Sequence, residues 1–166
     1  MLLNRLSLAF ILLLSASAAV FSADAPVPMP HCELQLLQGG QPVDLAKKYA
    51  GKVVYLDFWA SWCGPCLQSM PFMQSMSQTY QAKGLEVVTI NVDENHEDAL
   101  AFISEHEVTL PVLVDRSGEC AGRYDVAAMP SSFLIDRKGR IRHVEAGFHL
   151  EERDAITKRV AELLAE

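Results

Sequence analysis

The sequence predicts an α/β domain, with a mixed central sheet, helices on both faces and an N-terminal hairpin extension. Three observations predict it. Val53-Val-Tyr-Leu-Asp-Phe-Trp59 and Leu85-Glu-Val-Val-Thr-Ile-Asn-Val92 are near-continuous β-branched, apolar and aromatic runs. That pattern suits strands buried on both faces. A segment of helical character, Leu67 to Lys83, lies between them. The chain then closes with a hairpin pattern and a last apolar-periodic segment, giving alternation followed by an antiparallel unit.

The 166 residues suit one domain. Residues 1–22 read as an export signal: Asn4-Arg5 is a short positive region and Leu6 to Leu14 an unbroken apolar one. Ala16-Ser-Ala18 fits an A-x-A cleavage site near 18, and Val20-Phe-Ser22 offers a second near 22. The alternative is a retained, exterior-facing membrane anchor, but Leu6 to Phe21 falls short of the roughly 20 residues a spanning helix needs. Cys32 lacks the preceding pattern of a lipoprotein anchor. Proline-rich residues 23–30 read as a linker, and 31–166 as the domain.

Within the domain, Cys32 to Leu37 and the run through Val43 and Leu45 flank Gly39-Gly40, which suggests the hairpin. Gly51-Lys52 punctuates before the first buried strand. The helix from Leu67 should be kinked by Pro71, whose ring removes a backbone hydrogen bond, and stopped by Gly84. After the second buried strand, Glu97 to Glu107 reads as a helix, Leu110 to Val114 as a short strand and Gly118 to Tyr124 as a brief helix. Ser132 to Asp136 and Ile141 to Ala146 form a hairpin around Arg137-Lys-Gly-Arg140. Leu150 to Leu164 is the closing helix, apolar at Ile156, Val160, Leu163 and Leu164.

Chemistry concentrates at Cys63-Gly-Pro-Cys66, just after a buried strand and opening a helix. Residues i and i+3 share one helix face, about 5–6 Å apart at Cβ, so a disulfide there opens and closes with small adjustment. Cys63 should be the exposed nucleophile, its thiolate favoured by free N–H groups and the helix dipole. Cys66, one turn in, should be the buried resolving thiol. Gly64 permits close approach of a partner's backbone, and Pro65 fixes φ where its missing N–H costs little. A zinc half-site would need two further ligands. Cys32 and Cys120 stand alone, and none of the five histidines forms an H-x3–5-H pair. A purely structural disulfide closing so small a loop would constrain the unfolded chain weakly. No metal or cofactor is expected. Nucleic acid is excluded as a partner, because the net charge is −7 and no Lys/Arg-rich run occurs.

The stretch Val54 to Cys66, with Pro71 beyond it, resembles thioredoxin. Val112-Leu-Val-Asp115, Gly118, Ala121, Tyr124-Asp-Val126 and Met129 through Ile141 are similar to the TlpA/ResA-type exported branch. The resemblance covers roughly 30–166 and implies a thioredoxin-like fold. It implies that Met129-Pro130 carries a cis proline facing the redox disulfide, with a loop that pairs with an extended substrate. It also implies that Asp57 is a buried acid beneath Cys66, raised toward neutrality and able to accept its proton. The competing reading is a strand-end Asp bonded to nearby backbone. Trp62 should line the rim as a contact surface, and Trp59 should be core packing.

The even cysteine count in an exported chain favours a structural disulfide between Cys32 and Cys120; the alternative is two unrelated buried thiols. The expected function is thiol–disulfide oxidoreduction, reducing exported proteins (apocytochrome cysteines among the candidates), with a membrane thiol-reducing protein as donor. Location would be periplasmic or otherwise exported, with membrane contact only if the leader is retained. Alternatives are a same-class oxidase or isomerase, and a non-catalytic binding or chaperone module. A peroxidase is disfavoured, because no Pro-x-x-x-Thr-x-x-Cys pattern occurs.

Overall fold

The computed structural model describes residues 26–166, so the leader and both cleavage sites lie outside the described residues. Strands β1 (Val27–Pro28), β2 (Glu33–Leu36) and β3 (Val43–Asp44) precede helix α1 (Leu45–Lys48). The central part runs β4 (Val53–Trp59), α2 (Gly64–Tyr80), β5 (Leu85–Asn91), α3 (His96–Glu105), β6 (Val112–Val114) and α4 (Glu119–Arg123). It closes with β7 (Ser131–Ile135), β8 (Arg140–Ala146) and α5 (Arg153–Ala165).

The strands form one mixed sheet in the order β1-β8-β7-β4-β5-β6-β2-β3. β4, β5 and β6 are parallel, while β7 runs antiparallel to β4 and β8 to β7. Every residue of β4 is buried, and its two parities serve two cores. Val53, Tyr55 and Trp59 pack with Cys66, Met70 and Met73 of α2, Phe102 of α3 and Val160 of α5. Val54, Leu56 and Phe58 face the other way, onto Leu45 of α1 and Cys120, Ala121 and Tyr124 around α4. Helices therefore cover both faces, as the apolar run requires.

The N-terminal hairpin forms through Glu33 opposite Asp44 and Leu34 opposite Val43. It joins the sheet by Gln35 and Leu36 of β2 against Val114 and Leu113 of β6. Part of the proline-rich stretch read as a linker is instead an edge strand: Val27 and Pro28 pair with Ile141 and Arg140 of β8. A sheet edge is where proline is tolerated, because it presents no N–H to the ladder. Helix α1 is an element the sequence reading lacked; Asp44 caps it by accepting the Lys47 N–H at 3.2 Å.

Helix α2 begins at Gly64, three residues before the expected start, and continues through Pro71 to Tyr80. The earlier start follows from Cys63 acting as N-cap with Pro65 in the first turn, where a missing donor is harmless. A short 3-10 turn then ends at Gly84, whose φ of 100° only glycine adopts easily. Among the described residues, no helix is long and apolar enough to cross a membrane.

Candidate active site

The C-terminal end of β4 delivers the chain into Ala60-Ser-Trp62 and then onto the N-terminus of α2. Two anchors hold this loop. The Cys63 N–H donates to the Ala60 carbonyl at 3.1 Å, and the Ser61 N–H donates to both carboxylate oxygens of Asp93 at 3.0 and 3.2 Å. Asp93 is buried and is fixed in turn by the Asn91 side-chain amide at 2.8 Å. Sequence reasoning missed this brace. Asn91 ends the second strand and Asp93 lies just past it, and nothing local points them at residue 61.

Cys63 and Cys66 are joined as a disulfide, with Cα atoms 5.3 Å apart. Cys63 is the N-cap of α2, and its sulfur accepts the Cys66 N–H at 3.2 Å. A sulfur there sits at the positive end of a long helix, whose first turn carries no acidic side chain. The expectation of an exposed Cys63 needs correction: the residue is only 5 % exposed and Cys66 is 0 % exposed. Bonded to Cys66, the Cys63 sulfur folds back over the first turn, and the residue is one of those that line a groove. Gly64 lines that groove, and a Cβ there would meet nothing within 4 Å. The chain's own packing therefore does not demand glycine there.

Trp62 stands 72 % exposed beside Cys63. Trp59, in contrast, is fully buried with its ring centroid 4.7 Å from that of Phe102. The Met129–Pro130 bond is cis. Ser131 pairs with Phe58 across β4 and β7, which places Met129-Pro130 beside the end of β4 from which the cysteine loop departs. Met129 packs against the core cluster that contains both cysteines.

Asp57 shares the β4 parity of Tyr55 and Trp59, so it points to the α2 side, where Cys66 is buried. It is fully buried, and its one side-chain partner is Ser132, whose hydroxyl donates to Oδ1 at 2.6 Å. Oδ2 has no partner. Burial pushes the carboxyl up to about 7, and the Ser132 hydrogen bond opposes that rise. The reading of Asp57 as a backbone-bonded strand-end residue does not hold, since the bond goes to a side chain. Ser132 was missed as that partner; it lies opposite Asp57 in the β4–β7 register, a relation no local pattern reveals.

The folded chain thus keeps the Asp57 proton up to about pH 7, whereas the unfolded chain releases it near its ordinary value of 3.8. Between these values the folded state binds more protons, so this group's stabilisation falls as the pH rises through the window. The change amounts to about 4 kcal/mol. We expect Asp57→Ala to be more stable, relative to the parent, at pH 8 than at pH 4 by most of that amount. Urea unfolding of the oxidised proteins reads it, and identical pH dependence in both would refute the assignment.

Cys32 and Cys120 form a second disulfide with Cα atoms 5.7 Å apart, remote in sequence from the first and on the opposite face of the sheet. Both residues are buried. Among the described residues, no group of three or more His, Cys, Asp or Glu is arranged to hold a metal ion.

The Redoxin family profile matches residues 24–160. The thiol-disulfide oxidoreductase ResA of Bacillus cereus is 33% identical over 150 residues, covering 83% of this chain and 86% of that protein. ResA of Bacillus thuringiensis subsp. konkukian is 36% identical over 102 residues, and there the matched segment spans 61% of this chain and 58% of that relative's length. Among solved structures, one described as the thiol:disulfide interchange protein DsbE of Chlorobium tepidum superposes with a TM-score of 0.80 at 39% identity. It covers 86% of this chain and 99% of that one. A solution structure described as a protein disulfide isomerase of Bacteroides thetaiotaomicron gives 0.77 at 30% identity, covering 85% and 90%.

Proposed function

This chain belongs to the Redoxin family, among the TlpA/ResA-like thiol–disulfide oxidoreductases of the thioredoxin superfamily, and from that premise we propose that it reduces disulfides of exported proteins through Cys63 and Cys66. The thioredoxin-like fold expected from the sequence is the one present. The observation that carries the reading is the placement of the two sulfurs. One belongs to the residue that caps α2 and lines a groove, and the other lies one turn inside against a buried carboxylate's side of the sheet.

In the reduced protein, the Cys63 thiolate attacks one sulfur of a substrate disulfide, forming a mixed disulfide and releasing the first substrate thiolate. Cys66 then loses its proton to Asp57 and attacks the Cys63 sulfur. The internal disulfide forms, and the second substrate thiolate leaves. Two electrons pass from the dithiol to the substrate; the proton that Cys63 gave to solvent on ionising, and the one that Asp57 took from Cys66 and then releases, balance the two protons the departing substrate thiolates take up. Asp57, poised near neutrality by burial, suits that proton transfer at ordinary pH. Trp62, Gly64, Pro65 and the Met129-Pro130 loop supply the surface against which the substrate lies.

Reduction is preferred over oxidation because the Gly64-Pro65 dipeptide resembles that of reducing thioredoxins. Export of the chain, by the apolar leader pattern, sets this chemistry in the periplasm or an equivalent space. Regeneration then falls to a membrane thiol-reducing donor. Equilibration of the Cys63–Cys66 pair with glutathione buffers tests the direction. A potential of roughly −200 mV or below is expected, and one near −120 mV, as in strong oxidants, would make the protein an oxidase instead.

A further inference from the structure

Five large hydrophobic side chains stand exposed among the described residues, and two of them, Trp62 and Leu67 (72 % and 41 %), flank Cys63. They form one wall of a groove whose opposite wall is α3, with Phe102, Asp98 and Glu105 turned into it. Asp98 and Glu105 are seven residues apart on one helix face and exposed. Neither has an ion-pair partner among the described residues. No lysine or arginine lines the groove; its remaining titratable wall residue is His106, seated edge-on against Phe102. The sequence from Val53 to Asp115 holds a single cation, Lys83, at the far end of α2. That end lies about 25 Å from Cys63 at 1.5 Å per residue.

We propose that this groove docks the chain segment flanking the substrate's disulfide, and that it selects segments carrying lysine or arginine together with an apolar residue. The proposal rests on the reductase reading above and names its substrate class. An apolar residue of the segment covers Trp62 and Leu67, which are otherwise left to water. A cation beside it meets two carboxylates that have no counter-ion of their own, and the Trp62 face offers it a further contact. An acidic segment meets the same carboxylates as like charge and is rejected. A second copy of this chain, with net charge −7, fits the groove poorly on charge. The carboxylates are exposed, so the selection acts mainly on encounter rate and weakens as salt screens it.

The test uses peptides of equal length without tryptophan. Each carries one cysteine in a mixed disulfide, flanked on both sides by lysine, glutamine or glutamate. At pH 8 and low ionic strength, kcat/KM should fall in the order lysine, glutamine, glutamate, with about tenfold between the extremes. The spread should shrink to within about twofold in 0.5 M salt, and likewise in the Asp98→Asn/Glu105→Gln double variant. In parallel, peptides with serine in place of cysteine are titrated against tryptophan fluorescence, in which the exposed Trp62 reports on the groove without chemistry. The same charge order is expected there. Equal rates and equal titrations for the three flanks would overturn the proposal, as would an order that survives intact in the double variant. Self-association of the chain that the double variant abolishes would assign the groove to a second copy and also overturn it. If no disulfide peptide is cleaved while the serine peptides keep their order, the reductase reading fails and the docking groove stands.

Discussion

Cys63→Ser will lower turnover of a protein disulfide, insulin for example, by on the order of a thousandfold or more, because no other sulfur reaches the groove to attack. Cys66→Ser will behave differently. Its Cys63 thiolate still attacks, but the mixed disulfide has no resolving partner and accumulates as a covalent adduct visible by mass spectrometry. The asymmetry follows from placement: Cys63 caps the helix and lines the groove, whereas Cys66 is sealed from solvent one turn in. Undiminished activity in Cys63→Ser would remove the enzyme reading and leave a thioredoxin scaffold used for binding alone. Adducts on Cys66 in preference to Cys63 would reverse the two roles.

The second large effect concerns the other bridge. Cys32–Cys120 closes a loop of sequence separation 88. Constraining so long a loop stabilises a domain by about 4–5 kcal/mol in chain-entropy terms. The hairpin it secures meets the sheet through only two registered pairs, Gln35 with Val114 and Leu36 with Leu113. Its other end lies in α4, a helix of 5 residues steadied by Asp115, which accepts the Ala121 N–H at 2.7 Å. We therefore expect Cys32→Ala, Cys120→Ala and the double variant each to lower Tm by about 10 °C or more. The three should agree closely, since any one of them breaks the same bond. Calorimetry of the oxidised proteins measures this, and a change under about 2 °C would show that the bridge constrains nothing. Insulin reduction should survive in all three variants, because this disulfide lies across the sheet from Cys63.

Much of the fold is legible in the sequence because burial writes itself into composition. β4 and β5 are apolar on both faces, so Val53–Trp59 and Leu85–Asn91 could hardly be anything but central strands. The Cys63–Cys66 spacing is equally local, since a helix turn brings i and i+3 together whatever the rest of the chain does. What could not be read depends on distant register. Val27–Pro28 becomes a strand only because β8 offers it an edge. Ser132 meets Asp57 across 75 residues through the β4–β7 pairing, and Ser61 meets Asp93 across 32. The first residue of α2 is a boundary of a different kind: it depends on Cys63 taking the N-cap position, which leaves Gly64 and Pro65 inside the first turn.

The edge strand β1 sets the direction from which the chain enters the sheet. β1 pairs with Ile141 and Arg140, Ile141 aligns with Ile135, and Ile135 aligns with Val54 at the start of β4. The cysteine loop leaves from the other end of β4, some 20 Å away along a strand of 7 residues. Val27 and the reactive disulfide thus lie toward opposite ends of the sheet. Because β1 runs antiparallel to β8, it is entered from the direction of Ala146, which lies at the Phe58 end of β4, so a tether joined at Val27 would approach from the active-site side of the sheet and run alongside the pole at which partners arrive.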